Sequence, residues 1–213
     1  MGVNDLKKWN HAKTLNEKIH DRTDTISRIE SIPLKQGIHT NKAVADIPLP
    51  CHAAILDFEG NPVFMVGLMI GSTFLTYYIE DYKYRAELYL LLLTIISNSK
   101  EIIYFTFSDH ERRELTKIYQ YLACQGIELQ EYSTIDAIPL INLQLTKFES
   151  ILEALYSIQP EMKITGDALF RNTRMVDQLF YAKKYDEIIN HNQNCLRNES
   201  IILQKRWLKL YTI

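Results

Sequence analysis

The 213-residue chain lacks the signatures of several common catalytic classes. It has no Gly-rich phosphate loop, no G-x-S-x-G elbow and no H-E-x-x-H pair, which excludes P-loop nucleotide hydrolases, serine hydrolases of that fold and zincins. The three cysteines, Cys51, Cys124 and Cys195, are odd in number, far apart and outside any C-x-x-C spacing. Reduced thiols are therefore expected, and a zinc site is not. Seven glycines and six prolines are too few for a low-complexity or disordered chain. Neither charge sign dominates: 24 Lys plus Arg face 26 Asp plus Glu. There is thus no overall basic signature for nucleic acid, and a polyanionic partner would have to be held locally or through metal. The greasiest run, Leu88 to Ile96, is too short to span a bilayer, and the start lacks the apolar stretch of a signal peptide. Leu6 stands where myristoylation wants Ser or Thr. The expectation is a soluble, cytoplasmic protein with no membrane partner.

What is present, 46% hydrophobic residues, suffices for one sizeable core. Residues 11–30 are polar and helix-compatible, with a thin stripe of Leu15, Ile19, Ile26 and Ile29 that suggests a peripheral helix. Prolines 33, 48 and 50 disfavour a continuous helix in the next twenty residues, which read as a linker. Residues 1–50 are thus expected to form an N-terminal helical extension and linker, a candidate arm for a protein partner, ahead of a domain at 51–213. From Cys51 the pattern turns to apolar, β-rich runs, "CHAAILDF", "VFMVGLMIG" and "TFLTYYIE", split by Gly60-Asn61-Pro62 and Gly71-Ser72. Connections this short join antiparallel strands, so a three-stranded meander is predicted. A deeply buried helix over "YRAELYLLLLTIISNS", a strand over "EIIYFTF" and a helix over "SDHERRELTKIYQYLACQG" follow. A weaker strand is expected within "IELQEYSTIDAI", then helices from 144 to 211. This order fits an α/β, ribonuclease H-like mixed sheet: an antiparallel meander plus parallel strands, flanked by helices.

The stretch "AAILDFEGNP" ends an apolar strand in two acids. Residues i and i+2 of a strand share a face, so Asp57 and Glu59 project together while Phe58 points away. Such a pair can hold Mg²⁺, which prefers oxygen ligands, and two ions roughly 4 Å apart can stabilise the attacking and leaving oxygens of a phosphodiester. The alternative is a solvated strand end before the turn.

With these residues the chain resembles the ribonuclease H-like exonucleases whose metal ligands spell D-E-D-D, in particular the predicted-exonuclease branch found alone or fused behind RecB-type nuclease domains. "ILDFEGNP" is similar to that family's first motif. "YFTFSDHERREL" is similar to its second, with Glu111 in the acidic place and Leu115 behind it. The resemblance covers residues 51 to about 210 and implies Mg or Mn as cofactor, nucleic acid (DNA or RNA) as partner, and 3′-5′ cleavage of a single strand. Glu111 has a second reading, because Ser108-Asp109-His110-Glu111 is also an S-x-x-E capping box; Asp109 is the alternative ligand.

The third motif departs from the family. Relatives place an Asp on the last helix, but here "HNQNCLRNES" puts Cys195 or Asn198 at that place, depending on alignment. Helical periodicity offers a substitute. Ile189, Leu196, Leu203, Trp207 and Leu210 form one stripe, and Glu199 falls within that apolar face beside Asn192. A core-facing carboxylate calls for a cationic or metal partner, either a metal or an arginine such as Arg171 or Arg174. His191, four residues before Cys195, stands where the resemblance implies a water-positioning group. Asp136 matches an Asp after the family's fifth strand. The pairs Arg112-Arg113, Lys183-Lys184 and Lys205-Arg206 are either phosphate contacts or solvated surface. The expectation is a metal-dependent nuclease using Asp57, Glu59, Glu111, Glu199 and His191. The alternative is a catalytically degenerate module that binds nucleic acid or protein.

Overall fold

The computed structural model describes residues 22–50, 52–127, 138–160, 169 and 172–206. Its frame is a six-stranded mixed sheet in the order β1-β4-β3-β2-β5-β6. Strands β2 (Ala53–Glu59), β3 (Met65–Ile70) and β4 (Thr73–Ile79) form the expected antiparallel meander. The β2–β3 turn begins at Gly60, whose φ is +93° and whose missing Cβ would lie 2.2 Å from the Phe64 ring. Only glycine meets both conditions there. On the other side of β2, β5 (Ile103–Thr106) pairs in parallel, with β6 (Leu140–Asn142) parallel beyond it. The helices are α1 (Arg22–Glu30), α2 (Arg85–Ser97), α3 (His110–Cys124), α4 (Ile151–Ile158), α5 (Thr173–Tyr181) and α6 (Tyr185–Arg206). This is the ribonuclease H-like arrangement.

Two features differ from the sequence-based expectation. Residues 38–44 are not linker but β1 (Ile38–Val44), an edge strand paired antiparallel to β4 from Ile38–Ile79 to Val44–Thr73. Apart from Ile38 and the half-buried Ala43 its residues are polar or, like Val44, exposed, so no apolar run announces it. Lys42 and the flanking prolines are what an exposed edge tolerates. A strand the sequence did not announce, β6, forms at 140–142, and the strand expected within 127–138 falls on residues 128–137, which lie outside the described residues. Helix α1 is also better anchored than its thin stripe suggested: Ile29 is fully buried and Arg28 pairs with Glu101.

Alternation along β2 divides the core. Ala54, Leu56 and Phe58 join the cluster that includes Leu88, Leu92, Leu115 and Ile118 from α2 and α3. Ala53 and Ile55 join the cluster with Ala154 and Leu155 of α4 and Leu196, Ile202 and Leu203 of α6. Each of these buried leucines contributes roughly 1.5–3 kcal/mol. Helix α6 is further pinned by Arg206, whose guanidinium meets Glu149 at 2.6 Å just before the α4 cap. By the same alternation Asp57 and Glu59 continue the face that α6 covers.

Candidate active site

Asp57 sits near the carboxyl end of β2, past its last pairing with β5, where Ile55 opposes Phe105. The chain leaving β5 reaches Ser108 and turns into α3, bringing Glu111 to the same sheet edge. Carboxyl ends of parallel strands are where α/β sheets open crevices. From above, α6 lays its apolar stripe on β2, and Glu199 lies on that face at 1% exposure. Three separate elements thus deliver Asp57, Glu59, Glu111 and Glu199 to one buried locality.

Their electrostatics report how close they are. Burial, and then the charge of Asp57, push the Glu111 carboxyl up to about 8. Burial raises Asp57 to about 6, partly offset by nearby His191, the Phe58 N–H and Asn192. Glu199 is raised well above the ordinary carboxyl range by burial and by the charges of Asp57, Glu111 and Glu59, in that order. Mutual repulsion among buried acids means that they retain shared protons when no cation is bound. Two oxygens, Glu111 Oε2 and Glu199 Oε2, are buried without a hydrogen-bond partner, as is Asn192 Oδ1. Unpartnered buried oxygens in an all-oxygen donor set are the chemistry a hard divalent cation requires, so these residues fit Mg²⁺ or Mn²⁺.

The capping box that the sequence offered at Ser108 does not form: Ser108 Oγ accepts from the His110 N–H at 3.1 Å, and Glu111 Oε2 stays unpartnered. The helix N-cap is Asp109, which is exposed and accepts from Asn142 Nδ2 at 3.2 Å. Its side chain makes no capping bond, and Asp109 stands at the surface outside the buried acidic cluster. Among the described residues no cation pairs with Glu199; Arg174 is exposed, and Arg171, like Asp136, lies outside the described residues. Arg206 belongs to the Glu149 ion pair, Lys184 pairs with Glu187, and Arg112 donates to the Leu140 carbonyl.

Asn192 is the residue whose role the sequence concealed. Its Nδ2 donates to Asp57 Oδ2 at 3.0 Å, and its side chain lies directly over Gly67 of β3, the residue opposite Asp57. A Cβ on Gly67 would stand 1.8 Å from Asn192 Oδ1. A glycine inside an otherwise apolar strand was the available signal of such a close approach.

His191 Nε2 lies 3.7 Å from Glu59 Oε1. Both line a cleft of about 390 Å³ that also takes in His110, Arg113 and Lys117, with Leu169, Asn172 and Val176 opposite. On its other side His191 borders a second cleft of about 320 Å³ beside Phe107, Ser108 and Cys195. Arg113 and Lys117 thus share a cleft with Glu59, and Lys117 pairs there with Glu114 at 2.6 Å.

Fold and site together define a ribonuclease H-like α/β domain with a buried acidic cluster at the carboxyl end of its central strand. No family model, curated protein or solved structure matches the chain. Among the described residues no helix is long and apolar enough to cross a membrane.

Proposed function

We propose that the chain is a divalent-metal-dependent nuclease of the ribonuclease H-like exonuclease type, removing nucleotides from the 3′ end of single-stranded nucleic acid. The observation that carries this reading is the convergence of Asp57, Glu59, Glu111 and Glu199 with two unpartnered carboxylate oxygens. Those four residues would hold Mg²⁺ or Mn²⁺. When bound, the metal supplies Lewis-acid charge that activates water and stabilises the oxygens of an in-line displacement. Arg113 and Lys117 face the cleft and receive the phosphodiester backbone. His191 orients the attacking water and accepts its proton at Nε2. The water oxygen bonds to phosphorus as the P–O3′ bond breaks, releasing a nucleoside 5′-monophosphate. The reading puts the protein in the cytoplasm, a reducing compartment that keeps cysteines as thiols. A protein partner would engage the segment ahead of β1.

The test is to incubate 3′- and 5′-labelled oligonucleotides of DNA and RNA with Mn²⁺, comparing wild type with Asp57→Asn. Shortening from the 3′ end that the substitution abolishes is expected; cleavage unaffected by it, or none at all, refutes the catalytic reading. One observation favours the second reading, a degenerate binding module: Asn192 occupies an oxygen of Asp57 and no carboxylate stands at 192, 195 or 198. Calorimetric titration with Mn²⁺ separates the two: strong binding that Glu199→Gln abolishes supports the metal site, and no binding to the wild type supports the module.

A further inference from the structure

His191 precedes Cys195 by four residues on α6, so imidazole and thiol lie on one helical face. That face meets the end of β2 at Glu59. The Nε2 atom of His191 stands 3.7 Å from Glu59 Oε1 and 3.9 Å from Cys195 Sγ. The three ligand atoms all lie within 4.8 Å of one another. We infer that Glu59, His191 and Cys195 form a binding site for a borderline-soft divalent transition metal ion of the zinc class.

The donor set sets this site apart from the acidic cluster. Thiolate and imidazole favour zinc or cobalt, whereas magnesium takes oxygen alone. A tetrahedral zinc ion with ordinary bond lengths separates its N and O ligands by about 3.4 Å and its N and S ligands by about 3.6 Å. The two separations at His191 Nε2 are a few tenths of an ångström longer, and the Glu59 oxygen and Cys195 sulfur, within 4.8 Å of each other against about 3.6 Å around such an ion, close the larger remaining gap by side-chain rotation. Three protein ligands leave a fourth position open to water or an incoming anion. Access exists from both sides, because His191 borders the 390 Å³ cleft with Glu59 and the 320 Å³ cleft with Cys195. Coordination takes Cys195 as thiolate, and its proton leaves to solvent. The absence of C-x-x-C spacing in the sequence does not bear on this site, which joins a strand and a helix more than 130 residues apart.

The site needs neither Asp57, Glu111 nor Glu199, and it forms equally in a protein without nuclease activity. Where the nuclease reading also holds, an ion here withdraws Glu59 and His191 from that chemistry, so the two occupancies exclude each other.

Cobalt(II) added to the EDTA-treated full chain tests the inference. One equivalent is expected to produce a thiolate-to-cobalt charge-transfer band in the near ultraviolet and the intense visible bands of a tetrahedral ion, bleached by Zn²⁺ and not by Mg²⁺. Cys195→Ser should abolish the thiolate band, and His191→Gln should weaken cobalt affinity by about tenfold or more. Circular dichroism verifies that both variants are folded. Asp57→Asn and Cys124→Ser should each leave the band in place; Asp57→Asn thereby separates failure here from failure of the nuclease reading. No thiolate band in the wild type, or one that survives Cys195→Ser, overturns the inference.

Discussion

Replacing Glu199 with Gln changes one atom in the most deeply buried carboxyl of the cluster and isolates its charge. Glu199 is 1% exposed and faces Asp57, Glu111 and Glu59, so the fold holds its proton well past the ordinary value of 4.5. The unfolded chain releases that proton near its ordinary value. A carboxyl raised in the fold therefore gives its full stability below the unfolded pKa and loses stability as pH rises toward the folded pKa. The slope is about 1.4 kcal/mol per pH unit for each such proton. Glu111, raised to about 8, and Asp57, raised to about 6, act in the same direction. Gln reproduces the shape of protonated Glu199 without a proton to lose. In EDTA the variant should match the wild type near pH 4.5, then gain on it by about 1 kcal/mol per pH unit as pH rises toward the folded pKa of Glu199. With Mn²⁺ the ranking inverts: the wild type is stabilised increasingly as pH rises, while the variant responds weakly. Urea unfolding followed by far-ultraviolet circular dichroism at four pH values, with EDTA and with Mn²⁺, measures both effects. Parallel pH curves in EDTA, or an equal Mn²⁺ increment in both proteins, would refute the electrostatic picture.

Gly67→Ala should cost about 1–3 kcal/mol in urea unfolding, because its Cβ would meet Asn192 Oδ1 at 1.8 Å. The double variant Gly67→Ala/Asn192→Ala should recover most of that loss if this contact is the cause. Asn192→Asp exchanges the donor to Asp57 Oδ2 for another carboxylate. Metal-free stability at pH 8 should fall by about 1–3 kcal/mol, while Mn²⁺ affinity in calorimetry rises. Arg206→Met should destabilise by about 3 kcal/mol by stranding Glu149, whose carboxyl the Arg206 hydrogen bonds hold below the usual range. In the wild type that contribution is present above the unfolded carboxylate pKa and is lost as pH falls through the folded value, so acid titration of stability should flatten in the variant.

Much of the architecture was legible locally. The apolar runs separated by Gly60-Asn61-Pro62 and Gly71-Ser72 dictate a meander, because so short a connection leaves no path to a parallel neighbour. The burial of α2 follows from its near-continuous apolar run and the buried face of α3 from its apolar spacing. Strand β1 was not legible, since an exposed edge strand buries almost nothing and is held by backbone hydrogen bonds that any side chain allows. Its partner strand lies about 35 residues further along, and no local pattern encodes that pairing.

The same division runs through the site. Two-residue alternation was enough to put Asp57 and Glu59 on one face, and the 3.6-residue period of α6 was enough to turn Glu199 toward the core. Both are properties of a single element, set by local backbone geometry. Tertiary structure alone decided what meets those side chains. It set Asn192 over Gly67 and gave Asp57 a donor. It set Glu199 beside carboxylates, with no arginine paired to it among the described residues. It also brought His191 and Cys195 up to Glu59 across more than 130 residues of chain. Those contacts depend on how α6 crosses the sheet, which is set by the packing of Leu196, Ile202 and Leu203 into the core rather than by the residues of the site.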